Sequence, residues 1–488
     1  MDMETSLRLV APELILGIAG LVLLLVAGWA GQKSARLTSI LAAVAIGAAL
    51  ALSIPVVSEG VAGAPALAFG GLVTADAFAA FAKILIFIAA IGCLMIAPAY
   101  FEQVRAMRPE YPVLILFAAM GMGIMVGAGD LMTLYVGLEL NSLAAYVLAS
   151  FLRDDDRSTE AGLKYFVLGG LASGILLYGM SLVYGFTGST DFTAIRFALD
   201  GELATGVLFG LILVLVGLAF KISAVPFHMW TPDVYEGAPL PVTAFFATAP
   251  KVAALALTMR VALEAFGAQP AAWQQIVIFA ALASIVVGAL GAIGQENLKR
   301  LLAYSSINNV GFILIGLATG TAAGASAMLV YLAIYMAMTL GSFVAVLMLR
   351  DADGAQAETF ADIAGLASRR PVLAWCLLAL MFSLAGIPPL FGFWGKFVVF
   401  QAAVEADMIA LAAIGIAASV IGAFYYIKFV KVMFFDEPVG ERDTGGGETS
   451  HWVLLALTTA FISPLGYFAT IWLGNQADTA AAALLTTV

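Results

Sequence analysis

Four ionisable residues lie deep inside apolar runs of this chain, where a charge is costly. They are Glu139, Lys221, Lys251 and Lys396. A charge at the centre of a bilayer costs about 2.5 to 3.5 kcal/mol on insertion scales, so four cost on the order of 10 kcal/mol unless they are paired or hydrated. Glutamate and lysine are also side chains whose protonation responds to burial and to nearby charges. The pattern therefore favours a proton pathway through a membrane.

A structural interpretation competes with this one at every position. Glu139 could join two helices in an ion pair, and Lys396 could be neutralised by a carboxylate elsewhere in the chain. Lys221 lies close enough to the end of its run for its ammonium to reach the membrane surface. Lys251 follows Pro250 at the centre of a run and is too deep to do so. Of the four residues, Lys251 is therefore the least compatible with a purely structural role.

Other polar residues could complete the path. Tyr135 and Ser142 share the helix face of Glu139 and can form hydrogen bonds with it. Lys164, near the end of a run, and His228, in a proline-rich stretch, suit either the path or an anchoring role. The polar residues of two later runs can order water, but they can equally join helices. The candidate accessory residues are Lys164, His228, Ser305, Asn308, Asn309 and Tyr335.

Composition identifies an all-α polytopic membrane protein. The chain has 488 residues, of which 62% are hydrophobic and 11% are charged, and its mean hydropathy is +1.03. The first apolar run follows an acidic start and is long enough to span, so we expect it to remain in the mature chain. The net charge is −10, and the sequence has no long basic run, which argues against nucleic acid as a partner.

Cysteine and histidine usage argues against a redox centre or metal site in this chain. Cys93 and Cys376 are single cysteines in apolar runs, and His228 and His451 are the only histidines. Iron–sulfur clusters need several cysteine ligands, and haem needs a suitably placed axial ligand. We therefore expect any redox chemistry coupled to this chain to take place in another protein.

The apolar runs predict about fourteen membrane spans. Lysine and arginine cluster in the connections after spans 1, 3, 5, 9, 11 and 13, which predicts that these connections are cytoplasmic and that both termini are outside. Lys83, seven residues after Asp76, is expected to be an anchor near the membrane interface. The spans are approximately 12–30, 37–57, 76–98, 112–128, 131–152, 161–186, 203–225, 240–264, 271–293, 298–318, 324–349, 371–405, 408–435 and 451–473.

Prolines predict that spans 7 and 12 are discontinuous. Pro226 and Pro232 fall at the end of span 7, and Pro388 and Pro389 fall within span 12. Proline removes a backbone donor and clashes with the preceding turn. Paired broken helices in inverted repeats indicate an ion path near the membrane midplane. We predict N-terminal helices 1–3 in residues 1–111, one five-helix repeat in 112–265, an inverted repeat in 266–436, and a cytoplasmic loop with helix 14 in 437–488.

At these residues the sequence resembles a known family, the antiporter-like membrane subunits of NADH–quinone oxidoreductase (respiratory complex I). The long Lys221–Pro239 run and the Ala249–Lys251 segment carry the resemblance. It extends over nearly the whole chain through Gly137–Asn141, Ala385–Pro389 and Trp394–Lys396. Within the family, the lysine at 396 argues against subunit M, and the chain length argues against subunit L.

The resemblance implies a proton-translocating subunit in a bacterial inner membrane, with both termini periplasmic. It implies two half-channels joined by a hydrated axis, with Glu139, Lys221, Lys251 and Lys396 as the proton-path positions. It further implies that NADH, FMN, iron–sulfur clusters and quinone are bound by other subunits, and that this chain binds none of them. The implied partners are the lipid bilayer and other membrane-arm subunits, including the neighbouring subunit M and the small subunit K.

Two other functions stay open on the sequence alone. A subunit of a multi-subunit sodium/proton antiporter would share this ancestry and use the same lysines, and the sodium dependence of transport would distinguish it. A scaffold that moves no protons would tolerate neutralisation of all four charges.

Overall fold

The computed structural model describes residues 2–58, 66–199, 201, 203–350, 356–438 and 447–486. These residues form an all-α protein with one short β-hairpin, in which Ala66–Ala68 (β1) pairs antiparallel with Val73–Ala75 (β2) and Ala66 lies opposite Ala75. The hairpin precedes the third membrane span and lies in a connection. The hydropathy pattern did not predict it because three-residue strands outside the membrane leave no periodic signal.

Twenty-two α-helices follow one another along the described chain. The first eleven are Met3–Leu9 (α1), Ala11–Ala30 (α2), Ala35–Ser58 (α3), Ala77–Gln103 (α4), Glu110–Val126 (α5), Leu131–Ala149 (α6), Asp156–Thr187 (α7), Phe192–Ala198 (α8), Thr205–Ile222 (α9), Trp230–Gly237 (α10) and Leu240–Ala247 (α11). The others are Ala249–Arg260 (α12), Pro270–Ile293 (α13), Leu298–Ala318 (α14), Ala322–Leu347 (α15), Phe360–Ile363 (α16), Leu366–Arg369 (α17), Pro371–Ala385 (α18), Phe391–Glu405 (α19), Ile409–Phe435 (α20), Thr449–Ile462 (α21) and Thr470–Thr486 (α22).

Length and hydropathy make the described chain a polytopic membrane protein. Ten helical stretches are long and apolar enough to cross a membrane, and the bent pair Thr449–Ile462 with Pro464–Leu485 brings the number to eleven. The first of the ten, Ala11–Pro55, contains α2 and α3, and two shorter apolar helices are Glu110–Val126 and Pro371–Ala385. By length and hydropathy the described residues therefore give ten or eleven candidate spans, against about fourteen expected, because one stretch includes two helices and two apolar helices are shorter than a span. Part of the predicted 437–488 loop lies outside the described residues.

The two predicted helix breaks are present, and a serine hydroxyl accepts a hydrogen bond from a backbone N–H at each. The first break separates α9 from α10 and contains Pro226, whereas Pro232 lies in the first turn of α10, where proline is tolerated. The Ser284 hydroxyl accepts a hydrogen bond from Val225 N at 2.9 Å. The second break separates α18 from α19, and Ser383 Oγ accepts one from Gly392 N at 3.0 Å. Prediction of Pro232 as a break residue was therefore wrong, because the helix has already resumed there.

A third interruption was not predicted. Thr248 separates α11 from α12 with φ −118° and ψ −89°, two residues before Pro250. A proline nitrogen cannot donate to the carbonyl four residues earlier, here that of Phe246. Lys251 therefore begins a new stretch of helix directly after an interruption. The same span ends in a π-helical turn at Val261–Ala265.

The centre of the molecule is α15, whose residues 324–347 are all buried. Helices α12 and α14 are almost as completely enclosed. The outer helices α2, α3, α7 and α20 instead expose large apolar side chains such as Leu25, Ile40 and Val420, as expected of surfaces that face lipid. Of the candidate path residues, Lys251, Ser305, Asn308, Asn309 and Tyr335 lie on the enclosed helices α12, α14 and α15.

Candidate functional site

Glu139 and Lys221 lie near one another but form no direct ion pair within the described structure. Lys221 Nζ donates to Ser142 Oγ at 2.7 Å and more weakly to the Tyr146 hydroxyl at 3.4 Å. Ser142 also donates to the Leu138 carbonyl at 2.6 Å. Glu139 Oε1 is buried and has no hydrogen-bond partner among the described residues. Ser142 thus serves Lys221 rather than Glu139, contrary to the expectation from their shared helix face.

Lys251 is almost completely buried, with 1% of its surface exposed. Its Nζ donates to the Ile222 carbonyl at 2.8 Å and lies 5.9 Å from the centre of the Trp230 ring. Ile222 directly follows Lys221 and is the last residue of α9. The backbone carbonyl that binds Lys251 therefore belongs to the residue directly after Lys221.

Lys396 has a similar environment at the second break. It is 6% exposed, and its Nζ donates to the carbonyl of Ala385, the last residue of α18, at 2.9 Å. The ammonium also lies 4.3 Å from the centre of the Phe312 ring, within the range of a cation–π contact. A helix C-terminus carries partial negative charge and unsatisfied carbonyls, which suit a cationic donor. Each break therefore provides an acceptor for a buried lysine.

Polar residues of α14, α15 and α20 form a connected cluster beside Lys396. Tyr331 OH donates to Asn309 Oδ1 at 2.7 Å, and Asn309 Nδ2 donates to the Ser305 carbonyl at 2.8 Å. The Tyr426 hydroxyl lies 2.5 Å from Ser305 Oγ and 3.2 Å from Asn309 Nδ2. A Cβ at Gly395 would lie 2.6 Å from the Tyr331 ring, so glycine next to Lys396 permits the approach of this tyrosine.

The remaining accessory candidates are only partly brought together. Tyr335 OH donates to Ser306 Oγ at 2.8 Å, whereas Asn308 Nδ2 donates to the Ile285 carbonyl at 2.7 Å and so joins α14 to α13. His228 is half-buried in the first break, and its Nδ1 has no partner among the described residues. Asn308 therefore has the bonding of a helix-joining residue rather than of a relay.

Lys164 lies in an ionic network near the start of α7. Its Nζ is 2.7 Å from both Asp233 Oδ2 and Glu160 Oε1. Arg300 Nη1, at the start of α14, lies 2.6 Å from Asp233 Oδ1 and 3.0 Å from Glu236 Oε2. Half-exposed charges from α7, α10 and α14 therefore meet at this surface, which suits an entrance better than the interior of a path.

Sequence reasoning missed a buried ionic cluster around Arg260. This arginine is fully buried, and its guanidinium contacts Asp76 at 2.8 and 2.9 Å, Glu264 at 2.7 Å and the Val126 carbonyl at 3.0 Å. Its position near the end of an apolar run made it resemble an ordinary flanking residue. The available signal was an arginine inside the predicted span 240–264, with Glu264 one helical turn later.

The predicted interfacial role of Lys83 was wrong. Lys83 is 5% exposed, and its Nζ lies 2.7 Å from Glu13 Oε1 on α2. Asp76, seven residues before Lys83, binds Arg260 instead. These contacts are long-range in sequence, so helical spacing alone could not reveal them. Both ion pairs attach the N-terminal helices to the rest of the molecule or to one another.

No group of three or more His, Cys, Asp or Glu residues in the described ranges has an arrangement suited to a metal ion. Cys93 is buried and Cys376 half-buried, and both are free thiols. The polar site is therefore built from lysines, one carboxylate, hydroxyls, amides and backbone carbonyls.

The chain matches a family model described as "NADH:quinone oxidoreductase/Mrp antiporter, TM" over residues 128–422. This range contains the four main candidate residues and both predicted helix breaks. A similar protein from Erythrobacter litoralis, named NADH-quinone oxidoreductase subunit N, is 71% identical, and the alignment covers 99% of each chain.

Two solved structures resemble the whole chain. A chain of respiratory complex I from Thermus thermophilus is 32% identical, with a TM-score of 0.80, and the match covers 95% of this chain and 98% of that one. A chain of the Mrp complex from a Dietzia species has a TM-score of 0.83, covering 98% and 97%. At 24% identity the second likeness shows the fold alone.

Proposed function

This chain belongs to the subunit N family of NADH-quinone oxidoreductase, and on that premise we propose that Glu139, Lys221, Lys251 and Lys396 translocate protons. As a membrane-arm subunit, it would couple electron transfer elsewhere in the complex to proton movement. The observation that carries the proposal is the bonding of the three lysines. Each donates only to neutral oxygens in the described structure: a hydroxyl or a backbone carbonyl.

The same structure provides a contrast that weakens the structural interpretation. Lys83 and Arg260 are also buried, but each contacts a carboxylate at 2.7 to 2.8 Å. A buried charge that only holds helices together is expected to be paired in this way. Lys299 is buried as well and donates to the Ala238 carbonyl at 3.1 Å, so a neutral acceptor alone does not identify a pathway lysine. A lysine with a neutral acceptor can lose its proton without leaving an unpaired carboxylate behind. The three pathway lysines are therefore suited to changing charge during a cycle.

In the first half, we propose that Glu139 modulates the charge of Lys221 through Ser142. Lys221 Nζ bonds Ser142 Oγ, three residues along the same helix from Glu139. A charged carboxylate nearby favours the ammonium, and its protonation removes that preference. Proton arrival at Glu139 would then promote release from Lys221 toward Lys251, whose acceptor is the next residue, Ile222.

In the second half, Lys396 would be the terminal group. We propose that the cluster of Ser305, Asn309, Tyr331 and Tyr426 orders water beside it. Lys164, with Asp233, would lie at the entrance, and His228 and Tyr335 would line accessory branches. Residues 112–265 and 266–436 would form the two inverted repeats, following 1–111 and preceding the loop and last helix in 437–488. Both termini would be periplasmic in a bacterial inner membrane.

Other subunits would supply the redox chemistry and the neighbouring surfaces. We infer that NADH, FMN, the iron–sulfur clusters and quinone are bound elsewhere in the complex. The partners would be further membrane-arm subunits, with subunits M and K as the expected neighbours. Sodium/proton antiport by this chain has weaker support, because the Mrp likeness extends only to the fold.

The decisive experiment replaces Lys396 in the intact complex. Lys396→Ala should slow NADH–quinone turnover and proton pumping together, because a blocked proton exit prevents the preceding proton-transfer steps to which electron transfer is coupled. Lys396→Arg should not restore full rates, since a guanidinium keeps its proton. The control is Lys431→Ala, which removes an exposed lysine paired with Asp436. Electron transfer from NADH to an artificial acceptor in the hydrophilic arm should be unchanged in all three.

Pumping and turnover are measured in reconstituted vesicles after assembly is verified on a native gel. Normal pumping by an assembled Lys396→Ala complex would contradict the proposed exit. Normal pumping after neutralisation of all four residues would support the scaffold interpretation instead. A requirement for sodium in wild-type transport would favour the antiporter interpretation.

A further inference from the structure

A cleft of about 550 Å³ lies between five helices on the side of the molecule formed by α3, α4, α15, α21 and α22. Four of the helices contribute several residues each, for example Phe81, Leu85 and Ile88 on α4, whereas α3 contributes Ile54. The floor is formed by buried residues of α15, including Ala337, which is 7% exposed. Well-packed interiors have few voids larger than a water molecule, so a space of this size needs an occupant.

The fold fixes the shape of this cleft. At one end α4, α15 and α21 approach closely, because a Cβ at Gly92 would lie 2.9 Å from Leu340 and 3.4 Å from Leu454. The α22 wall is held to α15 by a hydrogen bond of 2.5 Å from Ser326 Oγ to Asp478 Oδ1. The last helix pair is bent by 67°, and this bend separates α22 from α21.

The chemistry of the lining excludes water as the occupant. Among the lining residues, polar side-chain groups are limited to the Thr458 hydroxyl, the Gln476 amide and the indole N–H of Trp472. The Thr458 hydroxyl donates to the Leu454 and Leu455 carbonyls of its own helix, at 2.9 and 3.1 Å. A buried water needs two to four polar partners, which these walls do not supply. The lining contains no charged residue.

Size and position identify an acyl chain as the occupant. A transmembrane helix of about 10 Å diameter occupies about 1,200 Å³ per three turns, far more than the cleft holds. Flexible hydrocarbon is the molecule that surrounds membrane-spanning walls. The rim is exposed, with Ile54 at 50%, Leu457 at 63% and Trp472 at 65%. Tryptophan is enriched where hydrocarbon meets headgroups, which suits a lipid that enters tail-first beside Trp472.

We propose that this cleft binds one acyl chain of a membrane phospholipid. The bound chain completes the packing between the N-terminal helices α3 and α4, the central helix α15 and the last span. Because no charged residue lines the cleft, recognition depends on the hydrocarbon and not on the headgroup. The site lies apart from the four proton-path residues, so it does not depend on their proposed function.

The test uses the purified complex in lipid nanodiscs with a phosphatidylcholine that carries a photoreactive diazirine halfway along one acyl chain. Irradiation of the wild-type complex should attach this lipid to α15 and α21 peptides that contain Met336 and Leu457. Ala337→Phe places a ring in the cleft and should lower this labelling at least five-fold. Ala417→Phe, a matched change at an exposed position of α20, should leave it unchanged.

A second arm needs no variant. The same lipid with its diazirine on the headgroup should not label the Met336 peptide. Unlabelled anionic phosphatidylglycerol and unlabelled zwitterionic phosphatidylcholine with the same acyl chains should compete equally well with the acyl-chain probe. Labelling that Ala337→Phe leaves unchanged would overturn the proposal. So would protein–protein cross-links from a photoreactive residue at Leu457, since they would identify a neighbouring subunit as the occupant.

Discussion

Loss of Arg260 should destabilise the protein strongly, although this residue carries no proposed proton. Arg260→Met keeps most of the side-chain volume but leaves Asp76 and Glu264 buried, with 2% and 4% of their side chains exposed, and without their cation. Removal of one partner from a buried ion pair costs about 3 to 5 kcal/mol. That cost corresponds to a decrease of roughly 10² to 10⁴ in the ratio of folded to unfolded protein. We therefore expect little assembled complex.

The measurement is the yield of complex on native gels, together with thermal stability of whatever assembles. Arg8→Met provides the control, because Arg8 pairs with Glu4 on the surface, with side-chain exposure of 77%, and exposed pairs contribute about 0 to 1 kcal/mol. The triple change of Arg260→Met, Asp76→Asn and Glu264→Gln should recover part of the yield by removing the unpaired charges. Normal stability of Arg260→Met alone would refute the electrostatic reasoning.

Three further outcomes are expected. Ser142→Ala removes the hydroxyl that accepts from Lys221 Nζ at 2.7 Å, a hydrogen bond of about 1.5 to 3 kcal/mol. Proton pumping by the assembled complex should therefore fall in Ser142→Ala and be retained in Ser142→Thr. Equal pumping rates in the two variants would exclude this hydroxyl as a functional acceptor. Gly392→Ala should impair assembly, because its Cβ would lie 2.0 Å from the Ser383 carbonyl oxygen; native gels measure this. Single cysteines replacing Asp154 and Glu405 should react with an impermeant reagent from opposite sides, measured above the background from Cys93 and Cys376; labelling from one side would contradict the topology.

The sequence predicts whether a residue lies deep within a span better than it predicts which group that residue contacts. Hydropathy located Lys251 and Lys396 inside spans, and the prolines located both discontinuous helices, because each signal acts within a few residues. Their acceptors could not be identified in advance. The carbonyl that binds Lys251 belongs to Ile222, 29 residues away, and depends on how two spans cross.

The errors have the same physical origin. Lys83 was compared with Asp76 on its own helix, but its partner Glu13 lies on another. Arg260 was overlooked because a cation near the end of an apolar run resembles a surface residue, and only packing reveals that Asp76 meets it there. Pro250 was the available signal for the interruption at Thr248, but the prediction placed breaks only in spans 7 and 12.

The hydrogen bonds of the cluster beside Lys396 determine whether its side chains alone can transfer a proton. Its central member, Asn309, accepts from Tyr331 and donates toward Ser305 and Tyr426. An amide has separate donor and acceptor atoms and does not titrate, so a proton received at its oxygen cannot be passed on from its nitrogen. In the proposed pathway, a proton therefore cannot pass from Tyr331 to Ser305 or Tyr426 through this amide. Water molecules would have to carry it past Asn309, so the entry or loss of a few of them would control proton transfer there without movement of a helix.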